Sequence, residues 1–218
     1  MTWLSHAWPQ VIDLTVAHLL LAVPAIALSL LISVPLGLLA TRRPRSGGVV
    51  LGGATLLYAI PSLPLLIVVP AVLGTPLRSP ITMITALTVY GVAVMVRTSA
   101  DAFAAVDTQV RDAAVAVGHS PSSAFWKVEL PLAVPVLTSG LRVVAVSTVA
   151  LVTIGALVGI SSLGTLFTDG FQRGIVAEVT TGVILTIAVA LLLDGLIVVG
   201  GRLLAPWQAQ QALAARGR

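Results

Sequence analysis

Asp101–Pro131 reads DAFAAVDTQVRDAAVAVGHSPSSAFWKVELP, and with Asp101, Asp107, Arg111, Asp112, Lys127 and Glu129 it is the longest polar stretch of the chain. Both flanks are apolar. The 218 residues are 57% hydrophobic and 9% charged, with 12 basic and 8 acidic side chains and a mean hydropathy of +1.06. A water-soluble domain keeps about a quarter of its residues charged to wet its surface, so lipid must cover most of this molecule. A bilayer core of ~30 Å asks for about 20 apolar residues per helix. The uncharged stretches hold five such helices, over residues 14–41, 49–74, 80–100, 135–159 and 178–204. The expected fold class is all-α integral membrane, one domain over 1–218, with 101–131 as the polar connection between the third and fourth spans.

Basic residues in short loops accumulate on the cytoplasmic side. With the N-terminus outside, Arg42, Arg43, Arg45, Arg111, Lys127, Arg202, Arg216 and Arg218 are all cytoplasmic, Arg97 lies at that edge, and only Arg78 and Arg173 are outside. The reverse orientation would export nearly every positive charge, so N-out and C-in is expected. Trp3 and Trp8 at one face and Trp207 at the other suit interfacial aromatic belts. The net charge of +4 comes without clustered lysines, Lys127 being the sole one, so no nucleic-acid footprint is expected. There is no cysteine, hence no disulfide framework or Cys-ligated metal. Met1 to Gln10 lacks the Arg or Lys of a signal-peptide n-region, so no cleaved leader is expected.

Within the polar segment, Val110 to Val117 reads as a short helix closed by Gly118, followed by a restart at Ser120 with Pro121 in the first turn. Leu130-Pro131 is expected to end that second helix, since the residue before proline disfavours the α region. Ala113, Ala114, Ala116 and Gly118 leave one side of the first helix nearly bare, and Phe125 and Trp126 add bulk soon after. The segment is then either a solvated connection or a docking element that another protein's backbone approaches closely.

The spacing is specific. Asp112-Ala113-Ala114, three residues, Gly118, nine residues, then Val128-Glu129-Leu130-Pro131 resembles the EAA motif of permease subunits in binding-protein-dependent ABC importers, with Asp for Glu and Val for Ile as the departures. The resemblance extends over roughly residues 14–205. Ile60-Pro61-Ser62-Leu63-Pro64, the third span ending near Arg97, and Leu157 to Phe167 are similar to the osmoprotectant branch, which imports glycine betaine, carnitine or choline. The resemblance implies a MetI-like (methionine-permease-like) fold in the cell membrane. It also implies a second permease subunit in a homo- or heterodimer, ABC ATPase subunits that use ATP and Mg, and an extracytoplasmic substrate-binding protein. Asp112, Ala113, Ala114, Gly118, Val128, Leu130 and Pro131 would couple to the ATPase. No cofactor is expected on this chain: a P-loop needs Gly-Lys-Ser/Thr, and the one lysine sits in Trp126-Lys127-Val128.

Other residues carry lesser readings. The Pro61, Ser62 and Pro64 break is either a pathway feature or a packing kink, because unwound backbone at membrane depth survives only where it is buried or lines a cavity. Arg142 and Asp194 fall at matching depth with opposite sign, and either pair or reach separately to interfacial water. His18 is either a proton relay or a helix-contact histidine. Gly155-x3-Gly159 and Gly48-x3-Gly52 read as small faces for close helix approach, within the chain or between subunits. Of the tyrosines, Tyr58 and Tyr90 lie within the spans, too few for a full aromatic cage. An intramembrane serine protease using Ser161 has no histidine at suitable depth. An importer permease for an amino acid or other small polar solute is the nearer alternative. An ion-coupled secondary transporter is the alternative from another class, although Asp194 is the only carboxylate at appreciable depth and no internal repeat is visible.

Overall fold

In lipid a backbone N–H or C=O has no water to bond, so spanning segments must satisfy their polar groups internally. The chain does so with helices. A computed structural model describes residues 2–207, without the side chains of residues 2–6 and 44; Trp3 is thus known only by its backbone, and Arg216 and Arg218 lie outside the described residues. The helices are α1 (Thr2–Arg42), α2 (Pro44–Ala59), α3 (Ser62–Leu73), α4 (Pro80–Ala104), α5 (Thr108–Ala116), α6 (Pro121–Ala124), α7 (Leu130–Ile154), α8 (Gly164–Arg173) and α9 (Val176–Leu204).

Helix α1 keeps going through Pro9, Pro24 and Pro35. The second span does break. Ile60, held extended before Pro61 (φ −72°, ψ 123°), ends α2, and α3 leaves at a bend of 114°. That this bent pair still crosses the membrane follows from how α1 meets α4. Ser29 Oγ donates to Thr88 O, Thr41 Oγ1 donates to Ala100 O, and Gly37 lies against Ser99. Both sequences rise together, so α1 and α4 are parallel. Between them α2 and α3 must carry the chain back from one face to the other. Gly140 against Thr98 and Gly155 against Met83 make α7 antiparallel to α4, and Gly201 against Thr138 makes α9 antiparallel to α7. The described residues therefore make five crossings. One end carries Arg42, Arg43, Arg45, Arg111, Lys127 and Arg202; the opposite end carries Arg78 and Arg173.

Two apolar cores fill the bundle. The larger includes Leu21, Ala22, Ala25, Leu65, Leu66, Met83, Leu87, Val149 and Leu163. The smaller, toward the arginine-rich end, joins Met95, Ala102, Phe103, Ala133, Leu137 and Val144.

Two sequence expectations are corrected. Leu130-Pro131 does not end a helix: Leu130 is α-helical (φ −62°, ψ −48°), and helical structure continues over 38 residues from Pro121 to Val158. A regular α-helix would drive the Pro131 ring into the carbonyl four residues back. The turn Phe125–Glu129 avoids this by widening into a π-helix, in which Leu130 N–H bonds Phe125 O. Nor do Gly155 and Gly159 form a helix face. Helix α7 stops at Ile154, a 3₁₀ turn spans Gly155–Val158, and Gly159 adopts φ +84° with the Arg78 side chain laid over it. By contrast Gly48 and Gly52 have no described atom of this chain near the position a Cβ would take, so nothing within the fold uses that face.

The α1–α4 seam is a close helix approach. A Cβ at Gly37 would lie 2.7 Å from the Ala100 nitrogen, a backbone atom that cannot swing aside. Gly37→Ala is expected to destabilise by about 1–3 kcal/mol, the usual cost of overpacking. Gly52→Ala, in open space, should leave stability level or raise it by up to about 1 kcal/mol. Thermal unfolding of the detergent-solubilised protein measures both.

Candidate functional site

The polar segment folds by local rules. Asp107 caps α5 by accepting from Gln109 N–H at 2.8 Å. At the other end Gly118, at φ +93°, donates to Val115 O at 2.9 Å while His119 N–H donates to Ala114 O at 3.0 Å. That pairing is a Schellman stop, which asks for a residue free to turn left-handed. Ser120 then caps α6, accepting from Ser123 N–H at 3.3 Å. The result is a sharp corner between α5 and the long rod that begins at Pro121.

One buried carboxylate holds the corner to the bundle. Glu129 is 2% exposed, and Arg42 at the end of α1 grips it with Nη2 at 2.9 Å from Oε1 and 3.1 Å from Oε2. Arg111 on α5 approaches Oε2 at 3.4 Å. A carboxylate taken from water needs such partners to remain charged. These three therefore tie α1, α5 and the π-turn into one unit. Aromatic packing supports it: Phe103 and Phe125 lie 6.0 Å apart, and Trp126 meets Phe125 edge-on at 5.1 Å.

The residues singled out by spacing divide between two sides. Ala114 is buried against the chain's own bundle, while Asp112, Ala113, Ala116 and Gly118 are exposed. Val128, Leu130 and Pro131 are half-buried along the rod. The exposed side also carries Val115, Val117 and Trp126, of which Val117 is 78% exposed. Apolar side chains on a polar segment leave a surface of the kind that partners cover.

Elsewhere the structure brings Arg142 and Asp194 together in a two-pronged contact, Nε donating to Oδ1 at 2.7 Å and Nη2 to Oδ2 at 2.9 Å. A cavity of about 180 Å³, lined in part by Thr138, Ser139, Arg142 and Arg202, opens between α7 and α9 beside the pair. Pro61 is exposed and Ser62 half-buried at the break, with Pro64 exposed on α3. His18 is fully buried.

Residues 33–209 match the family of binding-protein-dependent transport system inner membrane components. The chain belongs to that family. It is a permease subunit of an ABC importer and a multi-pass inner-membrane protein. It is 31% identical to the osmoprotectant import permease protein OsmW of Salmonella typhimurium, over 85% of this chain and 87% of that one. It is 24% identical to the glycine betaine/carnitine/choline transport system permease protein OpuCB of Bacillus subtilis, over 94% of each. A chain of the MetNI methionine ABC transporter in inward-facing conformations superposes with a TM-score of 0.73 at 23% identity, covering 94% of this chain and 96% of that one, which gives the fold. The MetI-like architecture expected from the sequence is therefore correct.

Sequence spacing had not picked out Arg42 or Arg111, or given Glu129 a role. The available signal was Glu129 itself, an acid wedged between Val128 and Leu130-Pro131 where an apolar rod begins.

In this permease Arg42→Ala would leave the buried Glu129 with Arg111 alone and should cost about 3–5 kcal/mol. Glu129→Gln keeps the shape and leaves the exposed Arg42 and the half-buried Arg111 without their carboxylate, at about 1–3 kcal/mol. Thermal midpoints in detergent should rank the first variant below the second. For the α7–α9 pair, Asp194→Arg should impair assembly or transport and Asp194→Arg with Arg142→Asp should partly restore it, read as uptake by reconstituted vesicles.

Proposed function

We propose that this permease forms the translocation pathway for osmoprotectants bearing a trimethylammonium group, the feature shared by glycine betaine, carnitine and choline. The observation that carries the reading is the similarity along nearly the whole chain to permeases named for those solutes. The subunit acts as one of a pair, with its N-terminus outside. That orientation is supported by the gathering of Arg42, Arg43, Arg45, Arg111, Lys127 and Arg202 at one end of the bundle. The exposed side of α5, with Asp112, Ala113 and Gly118, then faces the cytoplasm, where it docks on a separate ATPase that uses ATP and Mg. An extracytoplasmic binding protein delivers the solute to the opposite end. ATP binding closes the ATPases and moves the two docked corners, opening the pathway outward; hydrolysis resets it. This chain contributes the pathway and the docking corner and leaves hydrolysis to its partner.

Gly118→Asp tests the corner, because any side chain at φ +93° is strained whatever space surrounds it and the carboxylate adds charge to the exposed side. The variant should lose the co-purifying ATPase and ATP-driven betaine uptake together, while the membrane bundle itself remains folded. Uptake by the purified subunit with no ATPase present would instead favour a secondary transporter. ATP-driven uptake of an amino acid but not of betaine or choline would move the substrate class.

A further inference from the structure

The structure pairs the two tyrosines of the membrane spans. Tyr58 near the end of α2 and Tyr90 in α4 have ring centroids 5.7 Å apart and planes inclined at 42°, and Tyr58 is 56% exposed. Tilted at that angle the rings form a wedge rather than a sealed stack, so π-face stays available. Both sit deep. Tyr58 lies about 21 Å along α2 from Pro44, and Tyr90 about 15 Å along α4 from Pro80, in a bilayer core of ~30 Å. Tyrosine ordinarily stays at the membrane interface, where its hydroxyl meets water. Two inside the hydrocarbon core need another reason.

Two further features point the same face at water. Ile60 and Pro61, immediately after the Tyr58 turn, are the extended residues of the 114° break, and Pro61 is exposed. Unwound backbone at membrane depth requires protein cover or an aqueous cavity. Arg97, seven residues beyond Tyr90 on the same face of α4, is exposed about 26 Å along α4 from Pro80, near the far edge of the core. Among the described residues no carboxylate makes an ion pair with it. An arginine near the edge of the core turns toward water rather than lipid. The broken backbone, the tyrosine wedge and the guanidinium thus follow one another along a common surface.

We propose that Tyr58 and Tyr90 form a transit station in the pathway, where the trimethylammonium group of the cargo rests on their ring faces by cation–π attraction. The inference rests on the osmoprotectant reading. A quaternary ammonium cannot donate a hydrogen bond, so a polar lining offers it little in exchange for its water; an aromatic face does. Two rings instead of a full cage hold it weakly, which suits a site that must release. Arg97 lies farther toward the cytoplasmic end and repels the cation, so the ammonium pauses at the wedge. In a zwitterion the guanidinium also attracts the trailing or leading carboxylate.

The importer, assembled with its ATPase and binding protein in proteoliposomes, gives the test through ATP-driven uptake of radiolabelled choline. With Phe at both positions as reference, fluorinated phenylalanines weaken the ring quadrupole while keeping its shape. Uptake should fall stepwise with each fluorine, to about tenfold at three, the scale of a desolvated cation–π contact. Tyr58→Leu with Tyr90→Leu should fall at least as far, with the ATPase still co-purifying. A flat fluorine series in an importer that carries choline overturns the station and leaves the osmoprotectant reading standing. A wild-type importer that carries no quaternary ammonium overturns both, and does so before any substitution is made.

Discussion

A carboxylate buried at the end of a lipid-embedded rod is tolerable only while cations reach it, and that condition organises the working end of this protein. Glu129 sits where the π-turn widens to admit Pro131, and the widening sets which way its side chain points. Arg42 arrives from the last turn of α1 and Arg111 from α5. Remove the carboxylate and neither arginine has reason to lean inward; remove Arg42 and the charge has one distant partner. The corner at α5 is thus fastened to the first span by electrostatics and to the third by Phe103 and Phe125, so its position relative to the bundle is defined on two sides.

Much of this was legible in the sequence because local chemistry dictated it. Gly118 had to close α5, since a Schellman stop needs a left-handed residue, and Ser120-Pro121 had to open the next helix, because serine caps and proline fits the first turn. The charge census likewise grouped Arg42, Arg43, Arg45, Arg111, Lys127 and Arg202 at one end of the bundle, where the described residues have them. What failed was the use of a local rule where tertiary packing prevailed. Pro131 can be carried through a helix if the preceding turn widens, and no pattern in FWKVE signals a π-turn. Gly155 and Gly159 matched a helix-contact spacing but lie beyond the last α-helical residue of α7. Pairings between distant segments, such as Arg42 with Glu129 and Tyr58 with Tyr90, require knowing that α1 and α4 run parallel. That direction is settled by Gly37, which allows α1 to lie against the backbone of α4.

The parallel seam also explains the broken second span. Two parallel neighbours oblige the intervening chain to recross the membrane, and α2 and α3 do so around a 114° bend rather than along a straight axis. A straight helix would present only side chains to its surroundings. The bend puts the carbonyls and the proline ring of the Ile60–Pro61 link at mid-membrane depth, beside the tyrosine pair. Placing backbone there costs hydrogen bonds, and the fold recovers some of that cost by giving Ile60 N–H the carbonyl of Leu57.

For the proposed docking at α5, transmission to the pathway has a physical route. From Pro121 the rod continues to Val158, so a displacement of α5 that turns the rod is felt along its length, at Gly140 against Thr98 and at Gly155 against Met83. Both contacts are with α4, the helix that bears Tyr90 and Arg97. At those glycines the rod contributes no side chain of its own and the Thr98 and Met83 side chains of α4 lie directly on it, so rotation of the rod presses on α4 through these two contacts. A partner on α5 shifts the equilibrium between two arrangements only by the difference in its affinity for them. Rigid contacts conserve that difference, whereas a flexible connection would dissipate it. In the proposed mechanism the Glu129 clasp, which ties α5 to the rod, and the rod's contacts with α4 are what would let a small surface helix influence the proposed station at Tyr58 and Tyr90.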